Sequence, residues 1–189
     1  MTAYVALLFA VNVGNRKVPS GELRALAAEL GLATPRTHAN SGNLVVGAGT
    51  SGATTPDDVA RLVRAGVAER FGVDAAVVVL TAERLARVVR ANPFPAAARE
   101  SPAHLLVLVG EEPVDAAGIA SFDLAHPGRE RLAVEEGVLY ATFPDGIGRS
   151  KVTTAVLARA AGTPVTGRNW NTVTRLLELA EDVADPDRP

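Results

Sequence analysis

The chain has 189 residues, is 48% hydrophobic and 21% charged, and carries a formal net charge of −2 with no cysteine. That composition is globular and long enough for one large or two small domains. It excludes structural disulfides, thiolate metal sites and attraction to polyanions through bulk charge. No run of about 18 apolar residues occurs, so no helical membrane span is expected, and the apolar N-terminus lacks a basic leader, which points to the cytoplasm.

Residues 3–10 (AYVALLFA) are continuously apolar and read as a strand buried on both faces. A polar loop follows at 12–17, and Pro19 suits the start of a helix with Leu23, Leu26, Ala27 and Leu30 on its inner face. Residues 35–39 and 43–46 read as short strands around the tight turn Asn40-Ser41-Gly42-Asn43. Thr55 caps a helix that starts at Pro56, buries Val59, Leu62, Val63, Val67 and Phe71, and ends at Gly72. A strand over 75–80 completes a β-α-β-β-α-β unit, the split βαβ or ferredoxin-like arrangement.

Thr81 caps a third helix that Asn92-Pro93-Phe94-Pro95 stops. The proline-bounded stretch 93–102 is the expected linker between a first unit, 1–92, and a second, 103–189. The second begins with a strand at 104–109, a short helix at 113–120 and a hairpin of 130–134 with 138–143. A glycine-rich turn leads to a helix over 150–161, a short strand at 164–166 and a last helix at 170–179 before an acidic tail. The fold class expected is α+β, two ferredoxin-like plaits in tandem with an extra C-terminal helix.

Polar residues are unevenly spread. The chain uses 17 Arg but only two Lys (Lys17 and Lys151), and six of its seven Asn fall in three short stretches. Asn and Gly also mark turns, but the joint gathering points to one assembled site. The window 146–177 contains Arg149, Lys151, Arg159, Arg168 and Arg175 and no acidic residue. Within it, Gly146-Ile147-Gly148-Arg149-Ser150-Lys151 reads as a turn into a helix N-terminus, with Ser150 as cap, where an anion can bind unpaired N–H groups. The glycine and lysine spacing is not that of a P-loop. In Arg168-Asn169-Trp170-Asn171 the only Trp offers a stacking face and Arg a bidentate anion donor; core packing of Trp170 and helix capping by Asn169 or Asn171 are the structural alternatives. The pair of C-terminal helices resembles a helix-turn-helix, but the connection is longer than the usual 3–4 residues. His38, His104 and His126 are scattered without metal-ligand spacing, and no G-x-S-x-G elbow occurs.

The expected ligand set is Asn12, Arg16, Lys17, Asn40, Ser41 and Asn43 from the first unit with Arg149, Ser150, Lys151, Arg168, Asn169, Trp170 and Asn171 from the second. The ligand expected in a cleft between the units is anionic: a nucleotide, a phosphorylated metabolite or a single-stranded nucleic acid end. No cofactor, metal or membrane is expected. The alternatives are an enzyme of unknown reaction in the same cleft, with Lys151 or His38 as acid or base, and an interaction module built on Trp170 and the last helix. A homodimer is compatible with either.

The segments NVGNRKVP-x-x-ELRAL, T-x-x-NSGNLV and GIGRSKVT followed by TGRNWNTV resemble the bacterial domain of unknown function 1697 family, over nearly the whole chain. The resemblance implies two ferredoxin-like plaits and no assigned activity. It also marks departures: the family's usual Arg-Gly after the first strand is Phe9-Ala10 here, and its usual Tyr before Ser-Gly-Asn is His38. A ligand contact made through those positions in relatives would be altered in this chain.

Overall fold

The apolar run at the start of the chain becomes β1 (Ala3–Leu8), buried at every position. It stops two residues before the expected end because Ala10 turns the chain with a φ of 48°, the left-handed region in which a Cβ is strained. The computed structural model describes residues 1–185. Among them it is a mixed α+β protein with two four-stranded antiparallel sheets and seven α-helices. Two compact units emerge, Met1–Ala86 joined by the chain from Arg175 onward, and Arg87–Thr174. The division falls within two helices, α3 (Ala82–Arg90) and α7 (Trp170–Ala184).

The first unit adds α1 (Ser20–Glu29), β2 (Ala33–Thr37), β3 (Asn43–Gly47), α2 (Pro56–Phe71) and β4 (Val77–Thr81). Its sheet order is β2-β3-β1-β4. In register, Leu7 of β1 faces Asn43 of β3, and Leu8 faces Val77 of β4. Alternation along β1 sends Tyr4, Ala6 and Leu8 into one core with Leu23 and Leu26 of α1 and Val59, Val63 and Val67 of α2. The Thr55 side chain accepts from the Asp58 N–H, and Asp58 bonds back to the Thr55 N–H, so the expected cap is a full capping box. The Thr55 hydroxyl is the main reason the half-buried Asp58 carboxyl is lowered to about 2. Gly72 closes the helix at a φ of 63°.

The second unit adds α4 (Pro95–Glu100), β5 (Leu105–Gly110), α5 (Ala116–Ala125), β6 (Arg131–Glu135), β7 (Val138–Thr142), α6 (Thr154–Ala161) and β8 (Val165–Asn169). The sheet order, β6-β7-β5-β8, repeats that of the first. Leu108, Leu139, Ala141 and Phe143 pack with Ile119 of α5 and Leu157 of α6. Gly118 permits the close approach of those two helices, since a Cβ there would strike the Ala160 carbonyl.

Several boundaries differ from the sequence reading. The stretch expected as a linker carries α4. The helix expected from Pro113 starts at Ala116, because the Asp115 carboxylate accepts from the Ala117 N–H and fixes the cap there. Ser150 is not a cap: α6 begins four residues later with the Thr153 hydroxyl accepting from Val156. The short strand expected to end at Thr166 runs to Asn169, paired along β5 from Leu106 to Gly110. That strand lies between α6 and α7 and removes the helix-turn-helix reading. The last helix continues through Glu181–Ala184 rather than fraying at Leu179; residues 186–189 of the expected tail lie outside the described part.

Candidate functional site

In the first unit the polar residues of 12–20 and 38–43 do come together. Asn12 accepts from the Val18 N–H at 2.8 Å and donates to the Val18 carbonyl at 2.9 Å, so one side chain closes the loop between β1 and α1. It also donates to Asn40 Oδ1 at 3.4 Å. That oxygen accepts in turn from the Ser20 N–H at 3.2 Å and the Ser20 hydroxyl at 3.1 Å. Asn43 is buried and donates to the His38 carbonyl at 2.9 Å and to Ser41 Oγ at 2.8 Å. Arg16 donates to the Asp74 carbonyl at 2.7 Å. Lys17 is exposed, and His38 enters the network through its backbone. These side chains hold two loops to each other; satisfied amides in internal bonds have little left to offer a ligand.

The region is also where backbone conformation is most demanding. Ala10, Asn12 and Ala39 have φ between 48° and 59°, and the only other non-glycine described residues with positive φ are Thr34 and Glu136. Gly42, at a φ of 68°, lies so close to β1 that a Cβ would come within 2.5 Å of Val11 Cγ2 and 2.9 Å of Leu8 Cβ. The SGN turn is thus read through its glycine, which lets one loop sit on the other.

In the second unit the glycine-rich segment leaves β7 as a one-turn 3-10 helix, Ile147–Arg149. Its partner was missed in the sequence. The loop 126–130 (His-Pro-Gly-Arg-Glu) comes alongside, and the Glu130 carboxylate bridges the Ser150 hydroxyl and His126 Nε2, the latter at 2.8 Å. Ser150 Oγ in turn accepts from the Val152 N–H at 3.0 Å. The His126 ring stacks on Phe122, centroids 5.4 Å apart. Gly128 allows the pairing: a Cβ there would collide with both Glu130 Oε2 and His126 Nε2. The His126 and Ser150 hydrogen bonds, in that order, lower the Glu130 carboxyl to about 2. A His and Glu four residues apart around a glycine was the available signal.

The order of groups differs from a serine-nucleophile triad, where the imidazole touches the hydroxyl and the carboxylate lies behind. Here the carboxylate touches the serine, and at about 2 it is too weak a base to activate Ser150.

Arg149 and Lys151 are exposed, and among the described residues neither has an ion-pair partner. With Arg129, Glu130 and Ser150 they line a depression of about 330 Å³. A second depression, about 710 Å³, opens against the same loop with His104, Ile147 and Gly148 in its lining; Asp145 and Arg149 line both. Asp145 is held by Arg129 at 2.8 Å.

The residues 168–171 line neither depression. Arg168 is only 8% exposed on β8. It donates to Thr166 Oγ1 at 2.8 Å and the Gly167 carbonyl at 2.9 Å, and burial lowers it to about 10. Asn169 caps α7 by accepting from the Thr172 N–H at 2.9 Å, Trp170 is half-buried at the first position of that helix, and Asn171 is exposed. The structural alternative therefore accounts for Asn169. Among the described residues no helix is long and apolar enough to cross a membrane.

A family model described as "Protein of unknown function (DUF1697)" matches residues 1–140, so the Gly146–Lys151 loop lies beyond the matched part. The fold is similar to the solved structure of the conserved bacterial protein SP0830 from Streptococcus pneumoniae, with a TM-score of 0.67 and 20% identity, over 96% of this chain and 99% of that one. At that identity the likeness concerns the fold alone. No functionally curated protein matches the sequence.

Proposed function

The chain belongs to the DUF1697 family of proteins of unknown function, and from that premise we propose that it is a binding module for a phosphate-bearing anion, seated in the depression beside Ser150 of the second unit. The observation that carries the reading is the pair Arg149 and Lys151, two exposed cations on one wall with no ion-pair partner among the described residues. A surface cation with no partner is ordinary by itself. Two of them beside Arg129, at a loop whose backbone is already tied down, form a preorganised positive wall. The Arg149 N–H bonds to the Gly146 carbonyl at 3.2 Å, and the Ser150 N–H to the Ile147 carbonyl at 3.3 Å, so little ordering is left for the ligand to drive. Guanidinium and ammonium groups suit phosphate in complementary ways, one as a planar fork and one as a point charge.

The sites proposed from the first unit fit a scaffolding role better, as their amides are used within the loops. The finer fold assignment accords with this picture: we take each unit as a ferredoxin-like plait, since each runs β-α-β-β-α-β with the outer strand order β2-β3-β1-β4 or its equivalent.

The test is titration of inorganic phosphate and pyrophosphate at low salt, read by calorimetry and by the shift in melting temperature. The double variant Arg149→Ala/Lys151→Ala should melt where the wild type does without ligand and lose about tenfold or more in affinity. Equal affinity in the double variant would sink the reading. Arg168 is unsuited to this test, because replacing a buried cation perturbs the sheet it sits in.

A further inference from the structure

We propose that the ligand of this site is a nucleoside monophosphate, with its ring in the larger depression on the far side of Arg149; the proposal rests on the anion reading above. The two depressions are adjacent, and Asp145 and Arg149 line both. One molecule can therefore reach Lys151 with its phosphate and still occupy the second depression.

The two sides differ in chemistry. The smaller gathers three cations, Arg129, Arg149 and Lys151, with Asp145 held by Arg129 and Glu130 held by His126 and Ser150. The larger has Arg149 as its single cation, beside His104, Pro144, Ile147 and two glycines. Ile147 is 39% exposed, an apolar surface with no core to join. Among the glycines the wall is bare backbone. A Cβ at Gly148 would meet nothing within 4 Å, and one at Gly146 would meet only His104 Nε2 at 3.9 Å. A wall without side chains, flanked by an imidazole and a guanidinium, accepts a flat ring face to face. The exposed Asp145 carboxylate, at the boundary, is an acceptor for sugar hydroxyls, the role an acidic residue takes toward ribose elsewhere. At about 710 Å³ the space is within the range of small-molecule sites. The wall is also preformed: the Phe143 N–H bonds to the His104 carbonyl at 2.8 Å, and the Gly146 N–H to the Phe143 carbonyl at 2.9 Å.

Gly148 makes the idea testable without harm to the fold. It lies in the 3-10 turn, outside the left-handed region, and its Cβ direction is open, so Gly148→Phe should fill the depression and leave the loop in place. Inorganic phosphate, ribose 5-phosphate and adenosine 5′-monophosphate would be titrated calorimetrically into wild type, Gly148→Phe and Arg149→Ala/Lys151→Ala. The wild type should bind adenosine 5′-monophosphate about tenfold or more tighter than phosphate, with ribose 5-phosphate between them. Gly148→Phe should bind phosphate as the wild type does and lose the nucleotide's advantage, whereas the double variant should weaken all three. Phosphate binding without any gain for the nucleotide, or ribose 5-phosphate binding as tightly as the nucleotide, overturns the ring assignment and leaves the anion site standing. Retention of the advantage in Gly148→Phe also overturns it. No binding of any of the three overturns the anion site, and the ring assignment with it.

Discussion

The two units share a strand order, yet their polar loops are at opposite ends of it. In the first unit the loops after β1 and between β2 and β3 meet where β1 ends, at Leu8 and Asn43. In the second unit the polar loop follows β7 and so lies where β5 begins, since Leu105 pairs with Thr142. The equivalents of the first unit's loops are, in the second, the short connection 111–115 and the two-residue turn Glu136-Gly137. The difference extends to chemistry. The first cluster is made of amides and hydroxyls that bond to backbone groups, and the second leaves cations at the surface. Similar runs of Asn, Gly, Ser and Lys therefore mean different things: amides near a positive-φ turn knit loops, while cations after a strand end that no carboxylate pairs among the described residues remain available.

The largest effect expected from breaking this contrast is at Gly42. Its φ of 68° and the 2.5 and 2.9 Å approaches a Cβ would make to Val11 and Leu8 leave an added methyl no room, because Leu8 Cβ moves only with β1 itself. Gly42→Ala should destabilise the protein by about 2–4 kcal/mol, combining overpacking with left-handed strain. Denaturant unfolding measures it, and phosphate binding at the second unit should be unchanged. A loss below about 0.5 kcal/mol would mean that the two loops are not held as close as described.

Asn12 comes next. Asn12→Gly keeps a residue suited to a φ of 59° and removes only the side chain, so the loss reads the bonds to Val18. With the Val18 N–H left without its 2.8 Å acceptor, the cost should be about 1–3 kcal/mol. If the first cluster were instead a ligand site, the same variant would leave stability nearly intact and change an affinity.

Much of this contrast was open to sequence reasoning, and the rest was not for identifiable reasons. Thr55, Gly72 and Gly162 end or begin helices as their chemistry dictates, and the apolar runs became strands. Asp115 was overlooked because Pro113 also suits a helix start, and the choice depends on which N–H a side chain reaches. The extent of β8 was hidden because Gly167, Arg168 and Asn169 are poor strand formers; pairing with β5 overrides them. Ser150 looks like a cap in sequence because Ser before a helix commonly is one. The competing acceptor, Glu130, is 20 residues earlier and has no local signature. At Ala10 the φ of 48° is one that glycine adopts without strain, which would give the Gly that the family resemblance implies there a backbone cause.

The smallest effect expected concerns Glu130, and it sharpens what the second cluster does. Its carboxyl is lowered from 4.5 to about 2, chiefly by His126 and then by Ser150. A group depressed in the folded state contributes stability that is fully present above its unfolded value and is lost as pH falls through the folded one. The contribution should thus hold at neutral pH and fade between about 4.5 and 2. Glu130→Gln removes the charge and keeps the shape. It should be less stable than the wild type at pH 6, and the difference should shrink steadily as acid is added across that window. The comparison of the two chains cancels the titration of other carboxylates, which both share. Because Gln keeps the shape and much of the hydrogen bonding of Glu130, whose side chain is only 15% exposed, the difference should be smaller than that of Asn12→Gly. A gap that stays constant with pH would show that Glu130 acts through packing or hydrogen bonding alone. A gap that closes would show a charged clamp holding 126–130 against Ser150, so that the wall bearing Arg149 and Lys151 is kept in place by an ionised carboxylate that His126 and Ser150 both hold.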